Sequence, residues 1–290
     1  RHAVKETRPD AVICFMDRMN IATLIATRGL SIPVIISERV NPEWHKIGVF
    51  WGILRRLMYP YASILVVQTE AVRKWARRRL PDDRIIIIPN PLEETEQSPS
   101  LNCPIVLPPK YIVAMGRMVP QKGFDMLLSA FARQVDAFND WELIILGDGS
   151  ERNRLQQQAK ELGIEHRLHM PGRISPPDQI LEQAEIFILS SRYEGFPNAL
   201  LEAMRAGVAV ISFDCPSGPA EIIHHNVDGL LVPAQDTEAL TQAMTKLMQD
   251  EKLRQSLAHC AKNIKERFSL EKVMRQWHDV IESVVSASSK

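Results

Sequence analysis

At 290 residues the chain exceeds one comfortable core and implies roughly two domains of about 150 residues each. Its composition, 45% hydrophobic and 24% charged with zero formal net charge, is that of a globular protein and excludes nucleic-acid binding driven by bulk charge, so a charged partner must be met locally. Cys14, Cys103, Cys215 and Cys260 are scattered without Cys-x-x-Cys spacing, which fits reduced thiols in a cytosolic protein and speaks against a disulfide framework or structural zinc. No apolar run approaches the roughly 18 residues of a membrane span.

The opening RHAVKETRPD lacks a methionine and reads as entry partway into a domain, so the first domain is expected to be incomplete. Short apolar runs follow at 11–15 (AVICF), 34–37 (VIIS), 64–68 (ILVVQ) and 84–90 (RIIIIPN), each leading into a helix or turn. Between them, HKIGVFWGILRRLMYPYA (45–62) and RKWARRRL (73–80) mix aromatic and basic residues on helices. Attachment to an anionic membrane surface is one reading of these stretches, and a packed face backed by a solvated one is the other. Proline and polar residues then dominate 91–110, the composition of an interdomain connection.

The pattern restarts with YIVAMG, ELIILG, RLHMPG, IFILS, VAVIS and GLLVP, short buried-type strands alternating with helices as a doubly wound parallel sheet requires. From Asp236 onward the chain reads as helices, with an amphipathic stripe in FSLEKVMRQWHDVIESVV. The expected organisation is a partial first domain at 1–90, a linker at 91–110, a second domain at 111–268, and a helix at 269–290 that packs back toward the first domain.

Ligands of open parallel sheets sit beyond the carboxyl ends of the strands, so those loops are where chemistry is sought. GRMVPQKG supplies Gly116, Arg117, Lys122 and Gly123, two cations able to clamp an anion or simply to sit solvated beside a turn. GDGSE brings two glycines for close backbone approach, with Ser150 able to cap the next helix. The absence of Gly-x-Gly-x-x-Gly argues against a dinucleotide fold of the NAD type. Further on, Phe196 before Pro197 favours extended backbone and Asn198 is placed to cap a helix running through Met204. The amides of Leu200 and Leu201 in its first turn would cradle a phosphate. Glu202 lies four residues after Asn198, one too many for a capping box, and can instead accept the two hydroxyls of a ribose. Glu194, in the preceding loop, would bracket the other side of the anion.

Glu194 and Glu202 within EGFPNALLEAMRAG resemble the signature of GT-B retaining glycosyltransferases of family 4. GRMVPQKGFDMLLSAFA, LIILGDGSERNRL, MPGRI and SGPAEIIHHNVDGLLVP match that family's other blocks in order, while ISERVNP, VVQTEAVRKW and IIIIPNP resemble the second half of its acceptor domain. The resemblance implies an α/β fold of two Rossmann-like doubly wound domains facing across a cleft. It implies a hexosyltransferase that moves sugar from a nucleotide-diphosphate sugar, a UDP-sugar first, to a saccharide or lipid-linked saccharide with retention of configuration.

By the same resemblance Arg117 and Lys122 bind the donor diphosphate, Glu202 the ribose and Glu194 the donor sugar, with Glu194, Arg117 and Lys122 as the catalytic set. Gly116, Gly147, Asp148, Gly195, Phe196, Asn198, Ala199 and Leu200 complete the donor lining, and the backbone near Arg173 and Ile174 meets the base. Fixed cations and helix amides stabilise a departing diphosphate without a metal ion, and the sequence holds no Asp-x-Asp of the metal-dependent type. Neither metal nor cofactor is expected, nor a nucleic-acid partner. Localisation is expected to be cytoplasmic, with the inner face of the cell membrane as a peripheral site.

One departure is Ser37, Glu38 and Arg39, where many family members carry a histidine facing the donor. Glu38 or Arg39 then faces the cleft, or forms an ion pair closing the domain interface. The family's early glycine-rich acceptor loop is also missing from this sequence. A sugar-nucleotide epimerase and a non-catalytic nucleotide-sugar-binding fragment are the alternative functions.

Overall fold

The computed structural model describes residues 1–92 and 105–288, so most of the expected 91–110 connection lies outside the described residues. Each apolar run forms a strand: β1 (Val12–Phe15), β2 (Val34–Ser37), β3 (Ile64–Val67), β4 (Ile85–Ile87), β5 (Tyr111–Met115), β6 (Glu142–Leu146), β7 (Leu168–Gly172), β8 (Ile186–Leu189), β9 (Ala209–Asp214) and β10 (Leu230–Pro233). The protein is an α/β fold whose two sheets are parallel. It divides into two compact units, Arg1–Pro91 with Phe268–Lys290, and Leu92–Arg267.

The first unit holds four strands in the order β1-β2-β3-β4, with Cys14 opposite Ile36 and Ile36 opposite Leu65. β2 and β3 are buried along nearly their whole length, as covered parallel strands demand, whereas Ile13 and Phe15 of the edge strand β1 are exposed. Ile36, Leu65 and Val67 pack with Ile21 and Leu24 of the helix Asp17–Thr27 and with Met58, Tyr59 and Trp75. Ile35, Val66 and Ile88 meet Val273, Trp277, Val280 and Val284, one stripe of the helix Leu270–Ser288. The C-terminal helix therefore supplies the second cover of this sheet.

The second unit holds six strands in the order β10-β9-β8-β5-β6-β7. The chain lays down β5, β6 and β7 outward in one direction, then returns to place β8 beside β5 and proceeds to β10 on the other side. The loops after β5 and β8 thus leave neighbouring strands in diverging directions, the switch point at which such sheets open a crevice. Ile112, Leu143, Ile186 and Ile211 sit at zero exposure in the core below, each contributing roughly 1.5–3 kcal/mol by its burial.

Candidate functional site

Four loops at the carboxyl edge of the second sheet are interlocked through their main chains. After β5 and β6, Met118 N donates to the Asp148 carbonyl (2.8 Å) and Glu151 N to the Met118 carbonyl (2.9 Å). A Cβ at Gly147 would stand 2.0 Å from the Gly116 oxygen, so the approach requires glycine. After β5 and β8, Arg192 N donates to the Gln121 carbonyl (2.8 Å) and Ser190 Oγ to the Lys122 carbonyl (3.0 Å). Gly123, at φ +63°, again permits this contact, since a Cβ there would lie 2.1 Å from the Ser190 oxygen. The loop after β9 joins in: Glu194 N donates to the Pro216 carbonyl (3.3 Å) and Ser217 Oγ to the Gly195 carbonyl (3.1 Å).

Within this frame Lys122 Nζ donates to Glu194 Oε1 at 2.6 Å, and Ser191 Oγ donates to the same oxygen at 2.6 Å. Glu194 is 5% exposed, so its charge needs the ammonium that the neighbouring loop delivers. Lys122 has three donors and gives one to Glu194. Arg117, on the same loop, is exposed, and its guanidinium has no hydrogen-bond or ion-pair partner among the described residues. The arrangement is a fixed carboxylate held by one ammonium, with an exposed guanidinium on the loop that delivers it, suited to a ligand that presents hydroxyls next to an anion.

Ser191 was not anticipated, although its place just beyond β8 and three residues before Glu194 is the signal that points to it. The clamp of Arg192 on Asp125, with bonds of 2.9 and 2.7 Å, is likewise absent from the sequence reading. Burial pushes the Asp125 carboxyl up, but Arg192 outweighs that and holds it below the usual carboxylate value. Buried Cys215 next to Glu194 is pushed up to about 12 by desolvation and then by that carboxylate, so it stays a thiol at neutral pH and is no nucleophile.

Two capping expectations need correction. Asn198 is the first residue of the helix Asn198–Ala206, with Pro197 at the cap position, so Asn198 does not cap it. The Leu200 and Leu201 amides both donate to the Pro197 carbonyl, at 3.0 and 3.4 Å, and are not available to a phosphate. Ala199, between Asn198 and Leu200, precedes the first helical hydrogen bond, so its amide lacks an intrahelical acceptor. Glu202 lies one turn further on the same helix and is half-buried. Ser150 also does not cap its helix, which begins at Arg152 with Glu151 at the cap position. Gly195 and Phe196 are buried and Asp148 is exposed on the loop after β6. Arg173 is exposed and Ile174 half-buried just past β7, where the Gly147 amide reaches the Gly172 carbonyl at 2.8 Å.

Glu38 is held by partners of its own unit. It is 3% exposed and accepts a hydrogen bond from Tyr59 Oη at 2.5 Å, with Arg55 Nη1 at 3.6 Å from the same oxygen, all inside that unit. Burial pushes the Glu38 carboxyl up to about 7, against the lowering influence of Tyr59 and Arg55. Arg39 donates to Asn90 Oδ1 at 2.9 Å and lies over the Phe15 ring. The 73–80 stretch is also consumed internally: Arg73 and Arg77 share Asp82, Arg78 holds Glu43, and Arg79 lies over Trp75.

Residues 103–266 match the family model described as glycosyl transferases group 1. The chain is 30% identical over 99% of its length to the GalNAc-alpha-(1->4)-GalNAc-alpha-(1->3)-diNAcBac-PP-undecaprenol alpha-1,4-N-acetyl-D-galactosaminyltransferase of Campylobacter jejuni, covering 78% of that protein. It is 36% identical over 92% of its length to an exopolysaccharide phosphotransferase of Streptomyces coelicolor, of which it spans only 28%. Among solved structures, Anabaena HepE in complex with UDP is similar with a TM-score of 0.83 at 18% identity, covering 97% of this chain and 81% of that one, a likeness of fold. The chain spans 57% of TarM, another structure of the same fold. A family model matched across more than half of the residues, together with a relative similar along nearly the whole chain, places this protein among the glycosyl transferases of group 1.

Proposed function

We propose that the protein transfers a hexosyl unit from a nucleotide-diphosphate sugar, a UDP-sugar first, to a saccharide or lipid-linked saccharide with retention of configuration. The observation that carries this reading is the Lys122–Glu194 pair at 2.6 Å on the switch-point loops, with Arg117 exposed on the same loop. As the glycosidic bond breaks, negative charge grows on the departing diphosphate. The remaining Lys122 donors and the Arg117 guanidinium stabilise that charge in place, and no metal ion is called for. Glu194 Oε1 is occupied by Lys122 and Ser191, which fixes the carboxylate and leaves Oε2 to accept a sugar hydroxyl. Glu202 on the adjoining helix takes the ribose, and the main chain at Arg173 and Ile174 the base. With the diphosphate held on one face of the sugar and the acceptor hydroxyl arriving on that face, configuration is retained.

The UDP in the HepE structure and the undecaprenol-linked acceptor in the name of the Campylobacter relative support this donor and acceptor class. The test is turnover of UDP-sugars by the full-length protein with a diphospho-undecaprenol-linked saccharide, in chelator, with the anomeric configuration of product read by NMR. An α-linked product from an α-linked donor is expected. Acceptor-independent conversion to an epimeric sugar nucleotide, or an inverted product, would overturn the reading.

A further inference from the structure

Arg39 stands at the carboxyl edge of the first unit's sheet, just beyond β2, and is held there by residues that follow β3 and β4. Its Nη1 donates to Asn90 Oδ1 at 2.9 Å. Gln68, with its amide oriented to satisfy both ends, donates to the Arg39 carbonyl at 3.0 Å and accepts from Nη1 at 3.1 Å. The guanidinium lies 4.9 Å from the centre of the Phe15 ring, which is backed in turn by Trp277 at 5.6 Å. Aromatic stacking and two side-chain amides therefore fix the plane of the group.

What this frame leaves open is the other side of the fork. Neither Nε nor Nη2 meets an acceptor among the described residues, and neither is closed off from solvent. Arginines that only tie loops together behave differently: Arg84 reaches the carbonyls of Pro60 and Ala62, and Arg167 those of Val135, Phe138 and Trp141. Nor does a carboxylate compensate Arg39. Glu38, its neighbour in sequence, turns inward to Tyr59 and Arg55, Glu70 pairs with Arg73 and Arg77, and Asp17 lies beside His45. Burial accordingly lowers the Arg39 pKa with no acid to offset it, while the guanidinium stays charged at neutral pH. A half-buried, fixed cation with two parallel donors to spare has the geometry to grip an oxyanion bidentately.

We propose that the Nε–Nη2 edge of Arg39 binds an oxyanion carried by the acceptor, a phosphoryl or carboxylate group, so that the protein selects acceptors bearing negative charge. This sharpens the acceptor in the transfer reading and rests on it. The donor diphosphate is assigned to Arg117 and Lys122 of the second unit, which leaves a cation at the carboxyl edge of the other sheet for a second ligand.

The test has a binding arm and a kinetic arm, both on the full-length protein. Inorganic pyrophosphate is titrated calorimetrically into the Arg117→Ala/Lys122→Ala variant, in which the second unit's cations no longer compete. Binding is expected, and adding Arg39→Gln should weaken it roughly tenfold or more, as loss of charge-assisted hydrogen bonds does. Adding Arg39→Lys, which keeps the charge and loses the fork, should weaken it less, and Arg78→Gln, at an exposed arginine of the same unit, should leave it unchanged. In the kinetic arm, the parent and Arg39→Gln are given one saccharide in three forms: a neutral methyl glycoside, a diphosphate ester, and a version carrying a uronic acid. The parent should favour an anionic form, and which one it favours identifies the source of the oxyanion. Arg39→Gln should raise KM for that form about tenfold with kcat within about twofold, and leave KM for the neutral glycoside unchanged. No pyrophosphate binding, binding that survives both Arg39 variants, or equal KM changes with charged and neutral acceptors would each overturn the proposal. Pyrophosphate bound through Arg39 by a protein that transfers no sugar would count against the transferase reading alone.

Discussion

Two buried carboxylates close the carboxyl edges of two parallel sheets, and they are put to opposite use. Glu194 is met by an ammonium from the loop of the neighbouring strand, at 2.6 Å, and the loop that delivers it also presents an exposed guanidinium. Glu38 is met by a tyrosine hydroxyl and, more distantly, by a guanidinium that lies over Trp75 on its other side. The first arrangement keeps donors to spare at the surface, whereas the second spends its groups on one another. A buried acid beside a cation is therefore not by itself a binding site; the cation must retain hydrogen-bonding capacity that a ligand can reach.

The comparison breaks most directly through activity. Lys122→Ala should lower sugar transfer roughly 10²–10³-fold, as loss of one preorganised charge-stabilising donor does, and Glu194→Gln should fall in the same direction. Glu38→Gln should leave turnover per folded molecule within a few-fold, and equal kinetic losses from both carboxylates would show that the two edges are not distinct. Next in size is the backbone frame: Gly123→Ala sets a methyl 2.1 Å from the Ser190 oxygen at φ +63°, and should cost about 2–4 kcal/mol in a denaturant titration. A variant of unchanged midpoint would mean that the loops separate easily.

Glu38 also predicts a pH dependence with a definite sign. Its folded value of about 7 lies above the ordinary 4.5, so the folded state binds the extra proton in that interval. Stability from this group is full below about pH 4.5 and is lost as pH rises through about 7, by up to about 3 kcal/mol. Denaturation midpoints measured across this range should show that decline in the parent and not in Glu38→Gln; parallel profiles would contradict it. The smallest effect is expected at the exposed Arg78–Glu43 pair, where Arg78→Ala should change stability by less than about 1 kcal/mol.

The strands were legible because apolar runs bounded by turn residues are a local signal, and each of the ten runs lies in one strand. The pairing of Lys122 with Glu194 is another matter. They are 72 residues apart, and only the placement of β8 beside β5 brings their loops together, information that no local stretch carries. The resemblance named both residues for the donor, Lys122 for the diphosphate and Glu194 for the sugar, but not their pairing with each other. Fine hydrogen bonding was read less well: Asn198 looks like a cap by composition, yet the helix starts on it because Pro197 takes the cap position and its carbonyl collects two amides. The arginines of 73–79 resemble a basic face until Asp82 and Glu43 pair with three of them and Arg79 folds back over Trp75 of the same stretch.

The strand order of the second unit also makes it divisible. β5, β6 and β7 form one contiguous half, and β8, β9 and β10 the other, joined in the sheet along the β5–β8 ladder. A cut in the connection between β7 and β8, ahead of its helix Asp178–Glu182, would place Lys122 on one fragment and Glu194 on the other. Such fragments, fused to two interacting proteins, would regain the ion pair only on reassociation, and the unit would then serve as a complementation reporter whose signal is the restored Lys122–Glu194 site.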